Sequence, residues 1–424
     1  MDIPQGYKQT ELGIIPEDWE VKSFSQVFDM YPNNTYPRDC MNDSYGAIRN
    51  IHYGDVLIKY PTIVDVERCS IPYLNEDVKI KAQKFVQSGD VIIADTAEDE
   101  TVGKCVEIKN AINAKIVSGL HTFFCHPIRI FAIGWWGYYL NSSNYHNQLL
   151  PYITGIKVSS ISRASIQETK LLVPPIAEQK AIAEALSDID GLIAVLDKKI
   201  AKKRLIKQGA MQQLLTGKKR LPGFSDPWVE KRLGDMGHLM NGYTFKSETY
   251  NLAGEFKIIT IANVQSGYLM INACNRIIEL PVDIQPHQML KKGDILISMT
   301  GNVGRTCVVN QTKCLLNQRV GKFDIDKVFI SSQFLFELLK NEHFENAMID
   351  AGQGAAQANI GKNDIENYKC YVPRNKAEQK AIATILNDMD KEIDDLEAQR
   401  DKYRLLKSGM MQKLLTGQIR LKIK

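Results

Sequence analysis

The sequence lacks long apolar runs, paired cysteines and a strong excess of charge of either sign. Its longest apolar stretches fall far short of the ~20 residues that a membrane-spanning helix needs. The amino terminus, MDIPQGYKQTELG, has no basic start followed by an apolar run, so neither a signal peptide nor a membrane partner is expected. The eight cysteines form no CxxC pair, which predicts reduced thiols and a cytoplasmic location. A net charge of +4 permits a nucleic-acid partner without requiring one.

Motifs that would carry catalysis are missing as well. No GxGxxG follows a predicted strand, no GxxxxGK[ST] occurs, and the [NDS]PP[YFW] tetrad of amino-methyltransferases is absent. His121, Cys125 and His126 have a spacing seen among zinc ligands, but a further ligand is missing. On a strand, His126 would also point to the face opposite the other two residues. The sequence therefore predicts no catalytic residue, no metal and no cofactor in this chain.

A tandem repeat is the strongest feature that is present. The heptapeptide AEQKAIA at 177–183 recurs at 377–383, and LLTG at 214–217 recurs at 414–417. With these anchors included, about half of the positions from 177 to 217 are identical to those 200 residues later, which indicates an internal duplication.

The segments before each anchor share a frame but little detail. Trp19 parallels Trp228, and the Gly-Asp pair before VIIADT parallels the pair before ILISMT. One part of each repeat is therefore nearly fixed and the other part varies. This pattern predicts four segments: two divergent domains at 1–174 and 218–373, each followed by a conserved spacer helix at 175–217 and 374–424.

Each conserved segment has apolar residues in alternating steps of four and three, the seam of a coiled coil. A proline precedes each helix and a glycine follows it, which predicts helices of about 37 residues, or roughly 55 Å at 1.5 Å per residue. Two unrelated core helices within one large domain are the alternative. The seam that pairs with a partner helix consists of Ile182, Leu186, Ile189, Ile193 and Leu196, and of Ile382, Leu386, Met389, Ile393 and Leu396.

The divergent segments have the pattern of mixed α/β domains, with short apolar runs separated by glycine-rich turns. The predicted strands include 90–95, 257–261, 294–299, 307–309 and 369–372, and the predicted helices include 331–340.

Two loops in each divergent segment carry residues suited to binding DNA. One loop follows the Gly-Asp strand, and the other is a glycine-led loop before the last strand. Asn, Gln, Arg and Lys can hydrogen-bond base edges, while Ser and Thr hold phosphates. Ordinary solvated loops are the alternative. The candidate DNA-binding residues are Thr96, Lys104, Thr154, Lys157, Ser159 and Ser160 in the first segment, and Thr300, Asn302, Arg305, Gln353, Gln357 and Asn359 in the second.

Several stretches together resemble the specificity subunit of type I restriction–modification systems. They are TELGIIPEDWEVK near the start, the linker KKRLPGFSDPWVEKRLGD, the twin AEQKAIA helices ending in LLTG, and GDILISMTGNVG and LNQRVGKF. The resemblance covers essentially the whole chain. In the first segment DTAEDETVGK departs from it, with extra acidic residues where the second segment has MTGN.

The resemblance implies a non-catalytic, DNA-binding subunit that reads a split sequence in double-stranded DNA, one half with each target-recognition domain. It implies an α+β fold: two mixed α/β target-recognition domains joined by two long antiparallel coiled-coil helices in a pseudo-two-fold tandem repeat. The helices set the spacing and dock two modification subunits, which bind S-adenosylmethionine and methylate adenine. Restriction subunits with motor and nuclease activity complete the complex.

Simple geometry agrees with this organisation. A stiff helix of roughly 55 Å can hold two domains about one to one and a half turns of DNA apart, at 34–36 Å per turn. Two other functions stay open from the sequence alone: a coiled-coil interaction scaffold with no DNA role, and an enzyme whose site has no familiar motif.

Overall fold

The computed structural model describes residues 3–79, 84–155, 157–272, 274–352 and 358–421. The chain divides into two compact units: unit 1 comprises Met1–Asp197 and Ala398–Lys424, and unit 2 comprises Lys198–Glu397. Each unit contains one divergent segment and parts of both conserved segments. We call the strands and short helices from Tyr7 to Val173 head 1, and those from Val229 to Val372 head 2.

The two conserved segments form long helices, Ile176–Leu214 and Lys376–Leu414, of 39 residues each. Each corresponds to a length of about 58 Å. Proline has no backbone N–H and is therefore tolerated only in the first turn of a helix. Pro174 and Pro175 immediately precede the first helix and mark where it begins. Gly217 and Gly417 follow the helix ends with φ of +70° and +71°, a left-handed conformation that glycine adopts without strain. Among the described residues no helix is long and apolar enough to cross a membrane.

Head 1 is built around a mixed five-stranded sheet whose central strand, Val91–Ala94, is buried throughout because all four of its residues are apolar. In sheet order the strands are Phe28–Tyr31, Thr122–Pro127, Val91–Ala94, Cys105–Lys109 and Ile63–Asp65. A four-stranded sheet has the order Ile116–Ser118, Arg49–Ile51, Tyr73–Leu74 and Met41–Asn42. Strand pairs are Tyr7–Thr10 with Gly13–Pro16, Glu20–Ser23 with Lys170–Val173, and Thr96–Ala97 with Ser159–Ser160. The helices are Phe24–Val27, Trp135–Leu140, Ser143–Leu149 and Arg163–Gln167, with single turns at Arg38–Cys40, Asp55–Lys59 and Leu150–Tyr152.

Head 2 repeats this plan with one strand fewer in its main sheet. In sheet order the strands are Gly237–Asn241, Val320–Ile325, Ile295–Ser298 and Thr306–Val308. A second sheet has the order Arg276–Ile277, Phe256–Ile259, Cys314–Leu316 and Met289–Leu290. Strand pairs are Val229–Arg232 with Lys369–Val372 and Val264–Gln265 with Tyr268–Leu269. The helices are Ser332–Leu339, Glu342–Ala351 and Lys362–Glu366, with turns at Leu233–Asp235, Ser247–Thr249 and Pro286–Gln288.

The predicted strands and helix of the heads all occur, with ends shifted by one or two residues. The strand predicted at 90–95 is Val91–Ala94, and the one predicted at 294–299 is Ile295–Ser298. The helix predicted at 331–340 is Ser332–Leu339. Shifts of this size are expected because the final residues of an element keep only part of its hydrogen bonding.

In each unit the core of the head includes the start of one long helix and the end of the other. Ile182 and Leu186 belong to the same buried cluster of unit 1 as Leu414 and Leu415. In unit 2 the corresponding cluster contains Ile382, Leu386, Leu214 and Leu215. Part of the predicted seam therefore packs against a head as well as against a helix. The other seam residues, Ile189, Leu196, Ile393 and Leu396, are buried, while Ile193 and Met389 are half-buried.

The helix portions within unit 1 run antiparallel. Asp190 forms an ion pair with Lys407 at 2.6 Å, and Asp197 forms one with Arg400 at 3.6 Å. The residue number rises along one helix as it falls along the other, which fixes the direction.

Unit 2 contains the same arrangement between the complementary portions. Asp390 pairs with Lys207, and Glu392 pairs with Lys203 at 2.7 Å. The Asp–Lys pair occupies corresponding positions of the two copies in each unit, so the duplication extends to individual ion pairs.

The glutamate of AEQKAIA anchors each head to the helices. In unit 1 Glu178 is fully buried, accepts a hydrogen bond from Trp19 Nε1 at 2.9 Å, and binds both Nε and Nη2 of Arg420 at 3.0 and 2.6 Å. Because a buried carboxylate is costly unless its oxygens are satisfied, these three donors explain its presence in the core.

Unit 2 contains the equivalent triad of Glu378, Arg220 and Trp228. Arg220 donates to the carboxylate at 2.7 and 2.9 Å, and Trp228 Nε1 is 3.4 Å away. Trp228 is half-buried, whereas Trp19 is completely buried. The tryptophan of the triad is therefore more exposed in head 2 than in head 1.

Candidate nucleic-acid interface

In head 1 the two predicted loops lie side by side. The strand beginning at Thr96 pairs antiparallel with the strand of Ser159 and Ser160, and Thr96 lies opposite Ser160. Thr154 exchanges backbone hydrogen bonds with Ser160 at 3.0 and 2.8 Å. Thr154 and Lys157 are exposed, and the other three are half-buried. Segments about sixty residues apart thus form one polar patch.

In head 2 the corresponding loops also meet. Thr300 forms an isolated bridge with Asn359, and its hydroxyl donates to Asn359 Oδ1 at 2.8 Å. Asn302 is exposed in the adjoining turn. Gln353 and Gln357 lie outside the described residues, so their part in the patch stays a prediction.

Two candidate cations are engaged within their own heads. Lys104 is half-buried and donates to the carbonyl of Leu57 at 2.5 Å, and burial lowers its pKa. Arg305 donates to Gln265 Oε1 at 2.9 Å and lies 3.5 Å from Glu345. Both side chains join separate segments of a head, so we leave them out of the proposed DNA-contacting set.

Two residues that were not among the sequence candidates lie beside these patches. The carbonyl of His121 accepts from the amide of Asp95 at 3.1 Å, and that of Arg319 accepts from Met299 at 3.0 Å. His121 and Arg319 are both exposed. The LNQRVGKF stretch contained a signal for Arg319. We call Asp95, Thr96, His121, Thr154 and Ser160 face 1, and Met299, Thr300, Gln318, Arg319 and Asn359 face 2.

The two faces differ in charge. The turn that follows face 1 exposes Glu98, Asp99 and Glu100. Hydrogen bonds from Thr101 hold the pKa of Asp99 below its usual range, so this side chain stays anionic. The corresponding turn of head 2, Gly301–Asn302, carries no carboxylate. The surroundings of face 1 are therefore more acidic than those of face 2, where Arg319 is exposed.

Unit 2 contains a cleft of about 1000 Å³. It lies between a long helix and the turn that joins the helices Ser332–Leu339 and Glu342–Ala351 of head 2. Lys207 and Met211 line one side, and Asn341 and Glu342 line the other. Leu205, which is 69% exposed, also lines this cleft.

Unit 1 contains a cleft of about 580 Å³ at the equivalent place. Lys407 and Met411 line its helix side, and Ser142 and Ser143 line its head side. Leu405, which is 76% exposed, follows the lining residue Arg404 in the sequence but does not itself line the cleft. The two clefts share an arginine, a lysine, a methionine and a glutamine at equivalent helix positions, and the unit 2 cleft is also lined by the second long helix. On the head side, unit 2 has an acidic residue where unit 1 has a serine.

Comparison with known proteins identifies the family of this chain. A family model described as the type I restriction modification DNA specificity domain matches residues 16–203 and 225–403. The chain belongs to this family. The family predicted from the sequence and the α+β, two-domain fold class are thereby confirmed.

Relatives and solved structures extend over nearly the whole chain. The putative type I restriction enzyme MjaX specificity subunit of Methanocaldococcus jannaschii is 26% identical, over 99% of this chain and 97% of that protein. The EcoKI specificity subunit of Escherichia coli is 25% identical over 68% of this chain and 62% of that protein. A crystal structure of the S subunit from M. genitalium is 13% identical, covers 98% of both chains, and superposes with a TM-score of 0.58, which indicates the same fold.

The protein is a non-catalytic specificity subunit of a type I restriction–modification system, with DNA target-recognition domains. Within that role, faces 1 and 2 are the candidate DNA-contacting surfaces.

Proposed function

We propose that this specificity subunit reads a bipartite, asymmetric site in double-stranded DNA, with residues 1–174 contacting one half and residues 218–373 the other. The observation that supports this most directly is the pairing of equivalent loops in the two heads. Thr96 lies opposite Ser160 in head 1 and Thr300 opposite Asn359 in head 2, on the same backbone frame. A common frame that presents different hydrogen-bonding groups suits the recognition of two different half-sites.

The spacer helices at 175–217 and 374–424 are proposed to set the gap between the half-sites. The helix portions pair through ion pairs at corresponding positions in both units, Asp190 with Lys407 and Asp390 with Lys207. A paired helix is stiffer than a single one, and each turn contributes about 5.4 Å of length.

The two clefts are the proposed docking sites for two modification subunits, one in each unit. Their common feature is a set of equivalent helix residues, Arg204, Lys207 and Met211 in one cleft and Arg404, Lys407 and Met411 in the other. An exposed leucine, Leu205 or Leu405, follows the arginine in each helix. An exposed leucine next to a cleft is typical of a protein–protein interface. S-adenosylmethionine is proposed to bind in the modification subunit, whose product is a methylated adenine. Restriction subunits join this core, and the complex acts on DNA in the cytoplasm.

Methylation mapping of DNA exposed to this chain and its modification subunit tests DNA recognition. We expect a gapped adenine motif with dissimilar halves. A continuous motif contradicts the proposal. An absence of both methylation and salt-dependent duplex binding favours the alternative of a coiled-coil scaffold, and modification or cleavage by the purified chain alone indicates an unrecognised enzyme.

A paired deletion tests the spacing role. Removing residues 191–197 and 391–397 takes seven residues, two turns and about 10 Å, from both helices while keeping the seam in register. We expect the gap to shorten by about three base pairs with unchanged half-sites. An unchanged gap in an active complex contradicts the role of the helices in spacing.

Charge substitution at the exposed leucines tests docking. Leu205→Glu and Leu405→Glu should each lose one of two modification subunits in native mass spectrometry, and the double variant should lose both. Leu252→Glu is the matched control, because Leu252 is 92% exposed in head 2 and belongs neither to a long helix nor to the lining of either cleft. Retention of two modification subunits by the double variant contradicts this docking site.

A further inference from the structure

One structural position is equivalent in the two heads and carries a different exposed polar residue in each. His121 immediately precedes the strand Thr122–Pro127, and Arg319 immediately precedes Val320–Ile325. These strands occupy the same place in the main sheets, next to the central strand of each head. The backbone carbonyl of each residue accepts from the residue just before Thr96 or Thr300. The position therefore lies beside both polar patches.

Arg319 presents an uncommitted guanidinium on face 2. Its side chain is exposed, and no acceptor among the described residues hydrogen-bonds to it. The preceding Gln318 is also exposed, and its Oε1 accepts from Thr244 at 2.6 Å, which restrains the loop. A guanidinium offers two parallel donors, and the guanine edge in the major groove offers two acceptors, O6 and N7.

His121 presents a restrained imidazole on face 1. Its Nδ1 lies 3.3 Å from Asp95 Oδ1 and 3.3 Å from Thr96 Oγ1, and its ring packs edge-on to Tyr53 with centroids 5.4 Å apart. The backbone has φ of +53°, which is uncommon outside glycine. In the tautomer whose Nδ1–H donates to the Asp95 carboxylate, Nε2 is a hydrogen-bond acceptor. Within the described residues Nε2 has no hydrogen-bonding partner.

We propose that this shared position determines specificity in both heads. Arg319 donates to O6 and N7 of a guanine in the half-site of head 2. His121 accepts through Nε2 from the exocyclic amino group of an adenine or cytosine in the half-site of head 1. The inference rests on the proposed function, because it assigns bases to the two DNA-contacting faces.

The test is motif mapping of DNA methylated by the variant chain together with its modification subunit. Arg319→Ala should lose roughly 5- to 150-fold of the preference for one guanine in one half-site and leave the other half unchanged. Arg319→Lys keeps the charge but not the paired donors, so it should retain only part of the preference. His121→Ala should relax one adenine or cytosine position in the opposite half, and His121→Arg should shift that position towards guanine.

Lys327→Ala is the matched control. Lys327 is an exposed cation that follows the strand Val320–Ile325, whereas Arg319 precedes it, and the two are roughly 20 Å apart along the strand. This variant should keep both half-sites. A melting temperature equal to that of the wild type verifies that each variant is folded. If Arg319→Ala has a lower melting temperature, the base preference of Arg319→Lys tests the inference instead.

The outcomes separate this inference from the proposed function. If the wild-type chain yields no gapped motif, the proposed function fails. If it does and the Arg319 variants match Lys327→Ala, the inference is overturned while the proposed function stands. A uniform loss of methylation at all sequences also overturns it, because that is the signature of a phosphate contact.

Discussion

The two heads differ both in their anchors and in their outward faces. Trp19 of head 1 is completely buried, whereas Trp228 of head 2 is half-buried. Face 1 contains Asp95 and His121 beside an acidic turn, whereas face 2 contains Met299 and Arg319. Both heads are nevertheless attached to the long helices by the same glutamate triad. Residues that fix the frame are thus repeated, while residues that face outward differ. The comparison shows how a duplicated protein can change what it recognises in one half without disturbing the attachment of either half.

The glutamate triads provide the largest expected difference between the heads. Glu178→Ala removes the acceptor of the buried Trp19 indole nitrogen and two of the three hydrogen bonds of Arg420, which keeps its bond to Asp18. We therefore expect the free energy of unfolding to fall by about 4 kcal/mol. Glu378→Ala should cost about 2 kcal/mol, since Trp228 is half-buried and its bond is longer.

Denaturant unfolding measures these costs. Three of the four tryptophans are in head 1, so a Trp228→Phe background lets fluorescence report on that head alone. Hydrogen exchange of the strand Ile295–Ser298 reports on head 2. Equal losses in the two heads would show that burial of the tryptophan does not set the strength of the anchor.

Two equivalent glycines give the next largest contrast. Gly304→Ala should cost about 3 kcal/mol, because φ is +80° and the new Cβ would lie 2.7 Å from Met348 Cβ and 3.2 Å from the backbone of Glu345. Gly103→Ala should cost about 2 kcal/mol, because φ is +89° but the clash is with the end of the flexible Leu149 side chain. Melting temperatures of the two variants compare the costs, and the reverse order contradicts the packing argument.

Glu107 gives head 1 a source of pH dependence that the equivalent position of head 2 does not have. Burial raises the pKa of Glu107 to about 7, although its carboxylate accepts from the Gly137 amide at 2.7 Å. Sheet registers place Val308 at the equivalent position of head 2. Above pH 4.5 the unfolded chain releases this proton while the folded chain keeps it until about pH 7. The free energy of unfolding of head 1 therefore falls as pH rises through this range, by about 3 kcal/mol.

Glu107→Gln keeps the acceptor and removes the titration. Compared with the wild type, the variant should gain stability between pH 5 and pH 8, measured by fluorescence in the Trp228→Phe background. Hydrogen exchange in the strand Thr306–Val308 of head 2 is the internal control and should not respond to the substitution. A parallel pH dependence in wild type and variant contradicts the assignment to Glu107.

The long helices and the strands of the heads could be predicted from the sequence because they depend on local and repeated patterns. The 4–3 spacing of Ile182 and Leu186 indicates a helix wherever those residues pack, and the Pro and Gly boundaries need no tertiary information. It could not show that Lys104 bonds to the carbonyl of Leu57, or that Arg305 reaches Gln265, since those acceptors lie 40 or more residues away. His121 was considered only as a metal ligand, because its contact with Asp95 depends on how two strands pair.

The composition of unit 1 has a consequence for how the protein is made. Its core contains Leu414 and Leu415, and the hydroxyl of Tyr7 donates to the carbonyl of Gly417 at 3.1 Å. Unit 2 is one continuous stretch, Lys198–Glu397. Every residue of unit 2 is therefore synthesised before the second segment of unit 1, which begins at Ala398. Unit 1 is begun first, yet its core stays incomplete, with an open apolar edge, until the residues after Glu397 have been translated.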